Sequence, residues 1–127
     1  MKVEVIWSEA EGVMCLVPQD VVLADAKSVQ AFRDAIIPAL RSCGRKVPLV
    51  ICIDGMTIRP NGAQLYGEAA KDILSYTSAF ARYGSPGMVQ MMITTEALRN
   101  RLHSNIFQDR AAAVRFVQSR SEVARSA

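Results

Sequence analysis

The stretch that decides the fold is Pro48-Leu-Val-Ile-Cys-Ile-Asp-Gly-Met-Thr-Ile-Arg-Pro-Asn-Gly62. Residues 49–53 form an apolar run without polar alternation, which predicts a strand buried on both faces. Asp54 and Gly55 end this strand, and a short loop leads to a helix that we predict to begin near Ala63. Open α/β sheets place ligands at the carboxyl ends of their strands, so the loop over residues 54–62 is the first candidate site.

The size and composition of the chain indicate one globular domain. It has 127 residues, of which 50% are hydrophobic and 21% charged, a balance typical of folded proteins. We assign residues 1–118 to the domain and residues 119–127 to an exposed C-terminal extension. No apolar run reaches the roughly 18 residues that span a bilayer. The first residues lack the hydrophobic core of a signal peptide, which predicts a cytoplasmic protein.

Charge and cysteine content argue against several kinds of partner. The net charge is +3, and the basic excess lies from Arg99 onward. We interpret this segment as a solvated helix face and predict no nucleic-acid partner. The cysteines are odd in number and form no C-x-x-C pair, which argues against disulfides and zinc. We predict no metal and no cofactor. The three cysteines are Cys15, Cys43 and Cys52.

The N-terminal part of the chain predicts a hairpin and a helix. Residues 3–7 and 13–17 are predicted strands, joined antiparallel by a polar turn that ends at Gly12. Asp25 is the predicted N-cap of the first helix. Pro38 predicts a kink or an early loosening of that helix. Its buried stripe is predicted to consist of Val29, Phe32, Ile36 and Leu40.

The C-terminal part continues the alternation of helices and strands. We predict a helix over residues 63–83, a break at 84–87, a strand at 88–93, a helix from Glu96 capped by Thr94 or Thr95, a strand at 104–107 and a helix capped by Asp109. The predicted order is therefore β-β-α-β-α-β-α-β-α. Crossovers of this length favour parallel neighbours. The predicted fold class is α/β, with a mixed, mainly parallel sheet and flanking helices.

This order and the central strand-loop-helix resemble the STAS fold of anti-sigma-factor antagonists. The resemblance is closest to SpoIIAA-like, STAS/SEC14-type bacterial proteins. Residues 50–58, followed by Arg59-Pro-Asn-Gly62, look like the family's apolar strand, its turn and the loop that opens its second helix. Residues 106–117 are similar to its closing strand and helix. The resemblance covers nearly the whole chain and implies a role in interaction or ligand binding.

One departure from the family bears on function. Family members that act as phospho-switches carry Asp-Ser-Ser-Gly in this loop, and a partner kinase phosphorylates one serine. The matching segment here is Pro60-Asn-Gly-Ala63, which has no hydroxyl group. The nearest hydroxyl, on Thr57, belongs to the turn of the family pattern. The resemblance therefore implies a module without the phospho-serine switch.

The loop over residues 54–62 has the parts of an anion site. Unsatisfied N–H groups at a helix N-terminus favour negative charge, Gly62 would let a ligand approach, and Arg59 would add a forked donor. The alternative is that Asn61 caps its own helix, Asp54 satisfies the turn and Arg59 faces water. The predicted ligand- or partner-binding residues are Asp54, Gly55, Thr57, Arg59, Asn61 and Gly62.

Three functions compete on this evidence. The first is a non-catalytic, STAS-like module that binds a protein partner through this loop. The second is a binder of a small anionic or lipid-like ligand at the strand carboxyl ends. The third is a small enzyme that uses Asp54 or His103 as an acid or base, although the sequence contains no catalytic motif. Met88, Met91 and Met92 are interpreted as strand core, with a lipid- or partner-binding surface as the alternative. A homodimer is compatible with all three.

Overall fold

The computed structural model describes residues 1–84 and 87–126, and the side chains up to Arg120 within those ranges. Seven strands and four helices are present in this part of the chain. In chain order they are β1 (Lys2–Ser8), β2 (Val13–Gln19), β3 (Val21–Leu23), α1 (Ala26–Arg41), β4 (Val47–Cys52), β5 (Met56–Ile58), α2 (Pro60–Leu74), β6 (Thr77–Tyr83), α3 (Gly87–Arg99), β7 (Ile106–Phe107) and α4 (Arg110–Ser126).

The main sheet has five strands in the order β1-β2-β4-β6-β7. β1 and β2 pair antiparallel, as predicted from the hairpin turn, and Gly12 in that turn has a φ of +68°. All other neighbours in this sheet are parallel. The predicted α/β class with a mixed, mainly parallel sheet is therefore confirmed, and β4 is its central strand.

β4 is buried on both faces, which explains its lack of polar alternation. Leu49 and Ile51 share a core with the apolar sides of α1 and α2. Val50 points to the opposite face, where it packs with Val114 and Val117 of α4. Burial of such a side chain stabilises the fold by roughly 1.5–3 kcal/mol. The sheet is thus covered by two helices on one face and by α4 on the other.

The start of α1 agrees with the predicted cap. The Asp25 carboxylate accepts from the Ser28 N–H at 2.8 Å, and Ser28 completes a capping box. The predicted stripe of α1 is buried. The helix continues through Pro38 to Arg41. The carbonyl that loses its donor to Pro38 belongs to Asp34, an exposed residue, so water can satisfy it.

The long helix predicted over residues 63–83 is wrong at both ends. α2 begins at Pro60, where proline suits the first helical position, and it ends at Leu74. β6 follows from Thr77. The apolar residues Tyr76 and Phe80 extend the helical spacing of α2 by coincidence, and no glycine or proline marks the turn between helix and strand.

The strand predicted over residues 88–93 is also wrong, because this segment belongs to α3. A continuous apolar run fits either a strand or a helix with two apolar sides, and periodicity alone does not separate them. Thr94 and Thr95 lie inside α3 and cap nothing. Residues 85–86 of the predicted break lie outside the described residues.

The end of the chain follows the prediction more closely. β7 lies within the predicted strand at 104–107, and the Asp109 carboxylate accepts from the Ala112 N–H at 2.9 Å at the start of α4. α4 continues to Ser126, so most of the predicted extension prolongs this helix. Without β3 and β5, strands and helices alternate in the predicted order, but β6 lies in a segment predicted as helix and the first half of α3 in one predicted as strand. β3 and β5 were not predicted, and they pair in a separate two-stranded sheet.

Candidate functional site

The predicted binding loop contains the short strand β5. β5 pairs in parallel with β3, and Thr57 lies opposite Val22 in the register. Met56 and Ile58 point inward and are 3% exposed, whereas Thr57 and Val22 are exposed on the outer side. This small sheet fixes the segment that leads from the central strand to α2.

The two glycines of the predicted site lie against the backbone that precedes α1. A Cβ atom at Gly55 would lie 2.1 Å from the carbonyl oxygen of Pro18, and one at Gly62 would lie 2.4 Å from that of Leu23. Side chains are therefore excluded at both positions by neighbouring backbone. The space beside these glycines is occupied by the protein's own chain.

The N-terminus of α2 differs from the predicted one. Arg59 is the N-cap and makes no side-chain capping bond, so the alternative in which Asn61 caps the helix is wrong. The Arg59 N–H donates to the Leu23 carbonyl at 3.0 Å, which ties the cap to β3. Pro60 to Ala63 fall in the first turn of α2. Four predicted site residues are exposed: Asp54, Thr57, Arg59 and Asn61.

An apolar surface lies on the neighbouring helix α3, which packs against β5 and α2. Met88, Met91 and Leu98 are 72%, 71% and 73% exposed. Their spacing of three and seven residues places them on one side of the helix. We call these three residues the α3 apolar surface. Met88 and Met91 are therefore surface residues, and their interpretation as strand core is wrong.

The inner side of α3 carries a buried polar group that sequence reasoning missed. Glu96 is 4% exposed and Arg82 of β6 is 2% exposed. Arg82 donates to the Ser104 carbonyl at 2.7 Å and to the Tyr66 hydroxyl at 3.4 Å. Its Nε atom and the Oε1 atom of Glu96 have no hydrogen-bond partner. These atoms belong to residues that line one small cavity, large enough at most for a water molecule.

A third polar group lies on the α4 face at the carboxyl end of β6. The Arg110 guanidinium donates to both oxygens of Glu11, at 2.5 and 2.7 Å, and contacts the Cys15 sulfur at 3.5 Å. The hydrogen bond from Arg110 lowers the pKa of Glu11. Burial, reinforced by contact with Cys52, raises the pKa of Tyr83 to about 12, so this phenol is neutral at physiological pH. The Arg110 and Glu11 side chains are thus paired with each other.

These arrangements offer no assembled acid–base pair. His103 is exposed and makes no hydrogen bond or ion pair with any described residue, and it lines a groove near the amino end of β6. Within residues 1–84 and 87–126, no three histidine, cysteine or acidic residues are grouped to hold a metal ion. No helix in the described part of the chain is long and apolar enough to cross a membrane.

Comparison with known proteins adds no relative. No protein-family model matches this chain, and no curated protein matches it. The STAS resemblance therefore stays a prediction from residues 50–62 and 106–117. The surfaces described above are the basis for proposing a function.

Proposed function

We propose that this chain is a non-catalytic, STAS-like regulatory module of the bacterial cytoplasm that binds a protein partner. The α3 apolar surface is the observation that carries the proposal. Three large apolar side chains are each more than 70% exposed on one side of a helix. Their burial in a partner would contribute several kcal/mol, since each such side chain is worth roughly 1.5–3 kcal/mol.

The surroundings of the α3 apolar surface suit a binding site. Methionine is flexible and polarizable, and it adapts to partners of different shape. A helix that presents residues at this spacing matches the helix-in-groove mode of recognition. The exposed Thr57 and Arg59 belong to the elements beside α3 and would supply polar contacts around the apolar centre. The predicted loop residues thus keep a role at the rim of the interface.

The partner hypothesis is tested by comparing three immobilised forms of the protein in an extract of the source cells. The wild type is compared with Met88→Lys/Met91→Lys and with the control Ile6→Lys. Ile6 is also exposed, at 53%, but it lies on the edge strand β1. We expect at least one protein to be retained by the wild type and the control and lost from the double variant, as measured by quantitative mass spectrometry. Equal retention on all three forms would refute the proposal.

Two variants at the rim test the contribution of the loop. Arg59→Glu and Asn61→Trp change exposed side chains at the start of α2. If neither weakens the interaction that Met88→Lys/Met91→Lys abolishes, the interface is confined to α3. Sedimentation of the wild type and the double variant shows whether the partner is a second copy of this chain. Loss of a dimer in the double variant would identify a homodimer.

A further inference from the structure

A groove of about 680 Å³ opens at the amino end of β6, far along this strand from the closed group at Tyr83. We call it the β6 groove. Its apolar floor comes from α2, β6, α4 and the segment before β7: Leu74, Ala79, Phe80, Leu102 and Phe116. Its basic side chains are Lys71, His103 and Arg120, all of them exposed.

The groove exists because β7 covers only the end of β6. β7 pairs with Arg82 and Tyr83 alone, so the first half of β6 has no strand on its outer side. Asn105 supplies part of the missing edge. Its side-chain amide donates to the Phe80 carbonyl at 3.1 Å, and its backbone carbonyl accepts from the Arg82 N–H at 2.7 Å. The walls are thus fixed by hydrogen bonds, and the space before Phe80 remains open.

The charges at the β6 groove are unbalanced. No aspartate or glutamate is among the described residues that line it. Lys71 and Arg120 form no ion pair within the described residues, in contrast to Arg33, which pairs with Asp72 at 3.2 Å. Arg120 lies over the Phe116 ring at 5.2 Å from its centroid, so the cation is held beside the apolar floor. This arrangement attracts a negative group that adjoins apolar surface.

Two of the three hydroxyl groups that line the groove are used by neighbouring backbone. Ser75 donates to the Asp72 carbonyl at 2.6 Å, and Thr77 donates to the Leu74 carbonyl at 2.7 Å. An apolar body in the groove would cover Leu74 and Phe80.

From these observations we infer that the β6 groove binds an amphiphilic carboxylate, that is, an apolar chain that carries one carboxylate group. The apolar chain lies along the floor, and the carboxylate meets Lys71, Arg120 and His103. The volume lies within the range of small-molecule sites, about 300–1,000 Å³. This site is separate from the α3 apolar surface and does not depend on the proposed protein partner.

Three probes separate the contributions of the head and the chain. Decanoate has both parts, decanol has only the chain, and acetate has only the head. Calorimetry and amide chemical shifts are measured below the concentration at which decanoate forms micelles. We expect decanoate to bind at least about tenfold more tightly than decanol and to shift the amides of Phe80, Leu102 and Phe116. Acetate should leave these amides unchanged.

Charge reversal at the rim tests the location of the carboxylate. Lys71→Glu/Arg120→Glu should weaken decanoate binding by about tenfold or more, because each lost attraction is replaced by repulsion. The control is Lys27→Glu/Arg115→Glu, which changes the net charge equally at exposed positions outside the groove. It should change the affinity less than twofold. Circular dichroism checks that both variants are folded.

Several results would overturn the inference. Equal affinity for decanoate and decanol would show a site without charge recognition. Equal losses in the two double variants would show an effect of net charge alone. Loss of decanoate binding in Met88→Lys/Met91→Lys, with no change in Ser78→Trp, would place the ligand on the α3 apolar surface. Ser78 lines the groove, so Ser78→Trp should block it.

Discussion

Arg110 and Arg120 lie on the same helix, α4, at opposite ends of β6, and their surroundings differ. Arg110 is paired with both oxygens of Glu11, beside the half-buried phenol of Tyr83. Arg120 has no described carboxylate partner and lies over Phe116 at the edge of the open groove. The carboxyl end of β6 is closed by its own side chains, whereas the amino end keeps cations available.

The contrast between Arg110 and Arg120 shows that a site can form in this fold only at a strand end that other elements leave uncovered. Ligands usually bind at strand carboxyl ends in open sheets. Here β3 and β5 fill that end, and the short β7 leaves the other end of β6 uncovered. Binding capacity at the carboxyl end is left to the outer surface of α3.

The largest expected effect comes from adding one methyl group at the closed end. Alanine normally stabilises a helix relative to glycine by about 1 kcal/mol. At Gly62 the added Cβ would lie 2.4 Å from the Leu23 carbonyl oxygen, a clash with backbone that cannot move aside easily. We expect Gly62→Ala to lower the free energy of unfolding by about 3 kcal/mol in urea titrations.

Gly87→Ala is the matched control for this change. Gly87 begins α3, and an added Cβ would meet nothing within 4 Å. We expect this variant to be neutral or to gain a few tenths of a kcal/mol. A Gly62→Ala protein as stable as wild type would mean that the β3–α2 contact opens easily, and the carboxyl end would then regain room for a ligand.

The second prediction concerns Arg82, the buried arginine of β6. Arg82→Met keeps an unbranched apolar stem and removes the guanidinium donors to the Ser104 carbonyl and the Tyr66 hydroxyl. Because these acceptors are left in a buried region, we expect a loss of about 2 kcal/mol in urea unfolding. Arg115→Met, at an exposed side chain of α4 without a described ion pair, should change stability by less than about 0.5 kcal/mol.

The Arg82→Met variant also tests whether Arg82 supports the wall of the β6 groove. The Ser104 carbonyl that Arg82 holds precedes Asn105, which forms the wall of the β6 groove. If the variant is as stable as wild type, the buried arginine does not support this wall. A loss of stability together with weaker decanoate binding would show that the wall depends on it.

Elements with one consistent signal could be predicted from the sequence. β4 has a continuous apolar run, the hairpin has its turn glycine, and α1 and α4 have the caps Asp25 and Asp109. These local signals agree with the tertiary structure, so the fold class could be predicted. The fold could be predicted to this extent without any homologue.

In the region from α2 to α3 the hydrophobic pattern was ambiguous between helix and strand, and the predictions there were wrong. The apolar residues of β6 continued the period of α2, and the two apolar sides of α3 read as a strand. The α3 apolar surface and the β6 groove both depend on these two elements. The sequence offers the α3 apolar surface only as the alternative interpretation of Met88 and Met91, and it does not indicate the β6 groove, because burial and exposure in this region are decided by tertiary packing.

The smallest predicted effect tests the pairing of Arg110 with Glu11. The hydrogen bond from Arg110 holds the pKa of Glu11 below its ordinary value of about 4.5. A carboxylate with a lowered pKa in the fold stabilises the protein above the unfolded pKa, and this contribution disappears as the pH falls through the folded pKa. Glu11→Gln should therefore cost less than about 1 kcal/mol at pH 7, because the pair is partly exposed.

The pH dependence separates this pairing from a general effect of charge. The difference in unfolding free energy between wild type and Glu11→Gln should be present at pH 7 and should shrink as the pH is lowered from 4.5 towards 3. Glu9→Gln, at an exposed neighbour without a described partner, should match wild type at both ends of this range. A Glu11→Gln difference that stays constant with pH would mean that packing, and not the ion pair with Arg110, closes this end of β6. Arg110 and Arg120 would then differ only in geometry, and the electrostatic contrast between the two ends would fail.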